Sequence, residues 1–234
     1  VNTPINMSVP NDPVKLSSYL AREQYGEVAP LVFGHYYNDQ PTGIETEEVY
    51  EKNLEKGIYE KLNPNQKYKW DNNRFFSRMY ESREQKYIDG YQNWVPHNQN
   101  NITFLDNINF FIKYQIGWSY MRYFMWNFAG RQNDVANMDG NPVYGNWEHG
   151  IGYSDEGMPP HLKDNKAKNH YYFLPLIIGL IGIFFHFKSQ KKDAISVLLF
   201  FLFTGIFIIL YLNVPPEQPR ERDYAYVGSF YAFA

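Results

Sequence analysis

Apolar side chains recur at helical spacing from Phe110 to Phe128. Phe110, Phe111, Tyr114, Gly117, Trp118, Met121, Phe124, Met125 and Phe128 share one face at about 100° per residue. That pattern predicts an amphipathic helix, beginning near Phe104 after the polar loop 96–101. The opposite face mixes Lys113, Gln115, Ser119, Arg122 and Asn127 with Ile112, Ile116, Tyr120, Tyr123 and Trp126. So many rings on a second face suit a helix lying at a membrane interface or beneath another layer of protein. Gly130 should stop the helix, and Arg131 to Asp134 then place polar groups where its last carbonyls are open.

Downstream the pattern becomes uniformly apolar. Tyr171–Phe187 and Ala194–Val214 are runs of seventeen and twenty-one residues. At about 1.5 Å rise per residue, roughly twenty residues cross a hydrocarbon core about 30 Å thick, so both are expected to be transmembrane helices. The short basic link 188–193 predicts a cytoplasmic turn, which leaves residues 1–170 and 215–225 on the external, periplasmic side. A third apolar stretch starts at 226–234, with Tyr224, Tyr226 and Tyr231 at headgroup depth. The whole reads as a piece of a longer polytopic protein.

The first part of the chain is polar. Asp12 and Pro13 open a helix that Gly26 should end, and Pro30–Gly34 reads as a short extended segment. Residues 41–64 alternate glutamates and lysines and predict a solvated surface insertion. Lys67–Trp70 and Arg74–Tyr80 suggest a hairpin turning at 71–73, and Tyr87, Tyr91 and Trp94 keep helical spacing. Residues 135–170 form a long glycine-rich loop ending in Lys163, Lys166 and Lys168.

The expected fold class is therefore mainly α. An external, mostly helical region (1–103) leads into an interfacial aromatic helix with a polar end (104–134). An irregular loop (135–170), a transmembrane hairpin (171–187 and 194–214), an external loop (215–225) and the start of a further span (226–234) follow.

Composition removes several classes. With no cysteine there is neither a disulfide framework nor a thiol nucleophile, and a cysteine-free chain suits an oxidising compartment. A net charge of -3 without a basic stripe gives no nucleic-acid surface. Aromatic content of 19% fits a large lipid–water boundary. The mean hydropathy of -0.53 averages a polar first part with an apolar last third. The six histidines show no paired ligand spacing, so no metal site is expected; Glu148–His149 and Asp155–Glu156 leave only a small allowance for a divalent ion.

Four segments carry a resemblance: Tyr19–Gly26 (YLAREQYG), Arg122–Asp134 (RYFMWNFAGRQND), Gly145–Trp147 (GNW) and Pro219–Phe230 (PRERDYAYVGSF). They resemble large bacterial polytopic membrane proteins first catalogued as a domain of unknown function and grouped with protein O-mannosyltransferase-like glycosyltransferases. The resemblance implies a membrane glycosyltransferase fold of the C type, located in the inner membrane. It also implies transfer of a sugar, such as mannose, from a polyprenyl-phosphate donor to a hydroxyl of an exported protein or glycan. The carboxylate that the family uses lies in an upstream external loop, so no catalytic base is expected here.

Such chemistry needs cations for the departing phosphate. Arg220 and Arg222, just outside the second apolar run, are the candidate donor-phosphate ligands, unless they pair with Glu221 and Asp223 to fix the loop. Arg131, Asn133 and Asp134 are the candidate acceptor or sugar contacts, or else cap the helix. Arg122, set among rings, needs a partner, by default an acid. Two other functions fit the same pattern. One is a transporter or flippase-like protein, against which the absence of charge within both runs weighs. The other is a membrane-anchored binding or assembly module.

Overall fold

A computed structural model describes residues 12–20, 31–53, 56–61, 65–70, 74–136, 140–152, 157–217 and 222–234. The chain is mainly α-helical and divides into two compact units, one of residues 1–29 and 39–74, the other of residues 30–38 and 75–234.

In the first unit Asp12 begins α1 (Pro13–Leu20) as its sequence requires. Its carboxylate accepts the backbone N–H groups of Val14 (3.0 Å) and Lys15 (2.9 Å). The expected stop at Gly26 lies outside the described residues. Four strands follow: β1 (Gly43–Glu47), β2 (Tyr50–Asn53), β3 (Ile58–Lys61) and β4 (Asn65–Lys69). The antiparallel β2–β3 ladder, Tyr50 opposite Lys61, is nested in sequence within the antiparallel β1–β4 ladder, Gly43 opposite Lys69. The acidic insertion is thus built as strands. Lys67–Trp70 supplies most of β4, paired with β1 and not with Arg74–Tyr80 as the hairpin reading expected; 75–80 forms no ladder, and the expected turn 71–73 lies outside the described residues. Two ion pairs accompany the strands, Lys69 with Glu45 at 3.4 Å and Lys61 with Glu48. These are exposed pairs, each worth little by itself.

The second unit is organised by one long helix. It begins at α3 (Phe104–Phe110), where Thr103 and Asp106 form a reciprocal capping box: Thr103 accepts from the Asp106 N–H at 3.2 Å and Asp106 accepts from the Thr103 N–H at 2.9 Å. It widens into a π-helical segment, Phe111–Met121, and returns to α geometry in α4 (Arg122–Phe128). The Arg122 N–H closes on the carbonyl of Gly117, five residues back. Widening changes which side chains point inward. Gln115, Tyr120, Arg122 and Tyr123, all on the opposite face of an ideal α-helix, are buried, while Met121 is 39% exposed. Gly130, at φ 139°, ends the helix as expected.

Two aromatic cores share this helix. Phe110 and Tyr114 pack with Tyr36, Tyr37, Met79 and the Tyr91 of α2 (Gln85–Trp94). Tyr120, Tyr123, Phe124 and Phe128 pack with Ile209, Tyr226 and Phe230. The partners of the second half run in reverse order: Gln115 with Asn213, Tyr120 with Ser229 beside Gly205, Phe124 with Phe201. The helix therefore lies lengthwise along the apolar helices, antiparallel to the run 201–213, and rings on both its faces find apolar partners.

Those apolar helices are α6 (Leu174–Ser189), α7 (Lys191–Thr204), α8 (Ile206–Leu212) and α9 (Val227–Phe233), preceded by a 3₁₀ turn at Asp223–Tyr226. The run Lys191–Leu212, 22 residues bent at Gly205, is long and apolar enough to cross a membrane, and only 11% of its most apolar stretch is buried. Leu174–Ser189 is apolar but shorter. It starts three residues later than the apolar pattern because Tyr172 and Phe173 hold left-handed backbone, φ 53° and 60°, and it reaches Ser189, leaving Gln190 alone at the turn.

Candidate functional site

The polar residues gather where the apolar helices meet the loops. A small antiparallel sheet stands there, β5 (Gly130–Arg131) paired with β6 (Asn169–His170), with Trp147 bridging to Arg131 on the other side. Glu148 N–H donates to the Gly130 carbonyl at 2.9 Å and Tyr171 N–H to that of Ala129 at 2.8 Å, so the glycine-rich loop and the start of α6 are both tied to the end of the central helix. Gly130 is obligatory at this crossing. A Cβ on it would stand 2.3 Å from the Glu148 carbonyl oxygen.

Arg131 donates from Nε to the Ala167 carbonyl (3.3 Å), and its guanidinium lies 5.0 Å from the Trp126 ring centre. Asn133 is fully buried and braces the loop. Its Nδ2 donates to the Val143 carbonyl (2.9 Å), and its Oδ1 accepts from Gly145 N–H (2.8 Å) and Val135 N–H (3.2 Å). Asp134 is exposed and accepts from Asn165 Nδ2 at 2.9 Å. Of the three candidate acceptor contacts, Arg131 and Asp134 reach the surface and Asn133 spends its polar groups on the chain.

Arg122 is buried, donates from Nη1 to the Gly145 carbonyl (2.8 Å), and lies over Trp118 and Tyr123 at 4.3 and 4.4 Å. Ring faces and a carbonyl are among the partners that hold this interior cation. A second interior cation, Arg78, was not singled out by the sequence. It is 1% exposed, lies 4.2 Å over Phe76, and donates from Nη1 to the Leu210 carbonyl (2.8 Å) in the last turn of α8. Burial pulls its pKa down to about 10.

Arg220 lies outside the described residues. Arg222 stands immediately before the 3₁₀ turn, half-buried, and its Nε is shielded without a hydrogen bond. Among the described residues its guanidinium has no ion-pair partner. The ring of the buried Tyr226 is 6.4 Å from Tyr123, and Tyr123 is 5.0 Å from Trp126, on which Arg131 stacks.

One pair escaped sequence analysis. His170 Nε2 and Glu148 Oε1 are 2.6 Å apart, with the side chains only 22% and 11% exposed. The contact does not have the geometry of an aligned hydrogen bond. Glu148 drew attention by its glycine-rich setting, but no spacing could reveal a partner across the sheet. Among the described residues no three His, Asp or Glu side chains converge; Asp155 and Glu156 lie outside them. An apolar groove of about 630 Å³ runs beside α4, lined by Phe124, Ile178, Gly182, Val197, Phe201 and Phe233.

Residues 26–112 match the model of a protein family described as a family of unknown function (DUF8416). No curated protein and no solved structure matches the chain.

Proposed function

We propose that the chain belongs to an integral-membrane glycosyltransferase that moves a sugar from a polyprenyl-phosphate donor to a hydroxyl of an exported protein or glycan. The observation that carries this reading is Arg222: a guanidinium without an ion-pair partner among the described residues, at the polar end of the apolar helices. A buried or half-buried cation left unpaired costs stability, and a phosphate that guanidinium grips with two parallel hydrogen bonds would offset that cost.

Other features support the same reading. Ile178, Phe184, Phe203 and Phe207 are 68%, 65%, 60% and 44% exposed, a surface suited to lipid and not to water. The apolar groove offers an isoprenoid chain a bed between α6, α7 and α9. On this reading α6 and α7–α8 form a transmembrane hairpin in a bacterial inner membrane, with Gln190 on the cytoplasmic side and the Arg222 end on the periplasmic side. The basic residues Lys188, Lys191 and Lys192 at the turn support that orientation.

The test is donor turnover in membrane vesicles carrying the intact protein and radiolabelled polyprenyl-phosphate mannose. Arg222→Ala and Arg220→Ala should each cut donor use at least tenfold while membrane insertion is unchanged. Undiminished turnover in both variants removes the phosphate-binding role.

A further inference from the structure

The glycine-rich loop comes to a point beside the start of α6. Gly150 and Gly152, at φ 84° and 66°, bracket Ile151 and leave its side chain 59% exposed. The point is held in place from two sides. Tyr172 N–H donates to the His149 carbonyl at 3.1 Å, and a Cβ on Gly150 would stand 2.7 Å from His170 Cβ and 3.0 Å from Tyr172 Cε1. The His149 ring stacks on Phe173, 4.7 Å between centres, and its Nδ1 accepts the Ile151 N–H at 3.0 Å. An apolar side chain thus stands on a backbone whose N–H is already satisfied, as contact with lipid demands. Trp147, 6.2 Å from the Phe173 ring, is exposed beside it, as are Tyr172 and Leu174.

We propose that Ile151, with Trp147, Tyr172 and Leu174, is an interfacial anchor seated in the outer leaflet of the bilayer, an inference that rests on the transmembrane reading of α6 given above. Leu174 belongs both to this patch and to α6, whose Ile177 and Ile178 are exposed as well, so the surface that lipid would cover on the helix continues into the loop. Trp147 and Tyr172 combine an apolar ring with an N–H or O–H at its edge, the chemistry of headgroup depth, where one end is dry and the other wet. The four side chains carry no carboxylate and no amide, the groups that read a sugar's hydroxyls, which favours lipid over a saccharide. Irregular backbone cannot enter the hydrocarbon core, so the loop stays among the headgroups and only the Ile151 side chain reaches the acyl boundary. Seating the point there fixes the depth of the β5–β6 sheet, and of Arg131, at the membrane surface.

The experiment reconstitutes a cysteine-free version of the intact protein in vesicles of phosphatidylethanolamine and phosphatidylglycerol. One nitroxide at a time is attached through Ile151→Cys, Ile178→Cys or, as the water reference, the exposed Glu45→Cys of β1. Collisions with oxygen report lipid, and collisions with a water-soluble nickel chelate report water. The ratio of oxygen to nickel accessibility at Ile151 should exceed that at Glu45 by about threefold or more and stay below that at Ile178, as befits the headgroup–acyl boundary. All three positions are exposed, so the labels leave the packing intact. A ratio at Ile151 equal to that at Glu45, with Ile178 in lipid, overturns the anchor and leaves the span standing. A label at Ile151 that water reaches until methyl α-mannoside shields it overturns the anchor in favour of a saccharide site, and one that neither reagent reaches overturns it in favour of a protein contact. Ile178 in water overturns the transmembrane reading itself and this inference with it.

Discussion

The side-chain amide of Gln115 donates to Asn213 Oδ1 at 3.1 Å, 98 residues away along the chain. Asn213 ends α8 in left-handed backbone, φ 42°, and its own amide donates to the Ser77 carbonyl at 2.8 Å; Gln115 also reaches the Val214 carbonyl at 2.9 Å. Both side chains are fully buried. Gln115→Ala and Asn213→Ala should therefore each cost about 1–3 kcal/mol, because each strands a buried partner. The double variant should cost less than the sum by roughly 0.5 kcal/mol or more, measured as denaturation in detergent. Strict additivity would show that the two amides act independently.

Gly205 marks the bend between α7 and α8, and a Cβ there would stand 2.7 Å from Ser229 Oγ and 2.8 Å from Tyr120 OH, which bond to one another. Gly205→Ala should destabilise by about 1–3 kcal/mol through overpacking. Adding Tyr120→Phe removes one of the obstructing atoms, so the alanine should cost less in that background than alone. Equal cost in both backgrounds would place the obstruction elsewhere.

The sequence already held most of the helices. The aromatic repeat located the central helix, and the two apolar runs located α6 and α7–α8, because burial and lipid-like surfaces leave periodic or uniform traces. What a 100° periodicity could not carry was the π widening, which shifts the angular register between Phe111 and Met121, so Gln115 and Tyr123, on the opposite face of an ideal helix, are buried. The charge alternation at 43–69 concealed strands for a related reason: a two-stranded ladder exposed on both faces has no buried apolar face to announce it. At the site, Arg131 and Arg222 were legible as cations in polar clusters beside apolar runs, whereas Glu148 with His170 existed only once β5 and β6 had paired.

Acid should loosen the second unit through Glu81. Burial alone would push its carboxyl up, but Arg83 grips both oxygens (2.9 and 2.6 Å) and donates its backbone N–H (3.0 Å), leaving the pKa below the usual value of 4.5. A lowered folded-state pKa stabilises above the unfolded value, near 4.3, and that contribution is lost as pH falls through the folded value. Stability measured between pH 6 and pH 3 should decline less steeply in Glu81→Gln than in the wild type. Parallel curves would mean that other carboxylates govern the acid limb.

Gly130→Ala should be among the most damaging single-methyl changes. It combines positive φ, 139°, with backbone atoms at 2.3 and 2.5 Å from the new Cβ, neither of which belongs to a flexible side chain. Loss of the β5–β6 ladder should appear as faster amide exchange at Arg131 and Tyr171, and unchanged exchange there would refute the obligatory crossing.

The central helix belongs to two aromatic cores at once, with Phe110 and Tyr114 in one and Tyr120 to Phe128 in the other. Melting either core would have to break or bend a continuous rod that the other still holds. The two halves of this unit are thereby coupled into one cooperative transition: a lesion at Tyr91 in the polar half should be felt as lost protection at Phe230 in the apolar half, although the two residues belong to different cores.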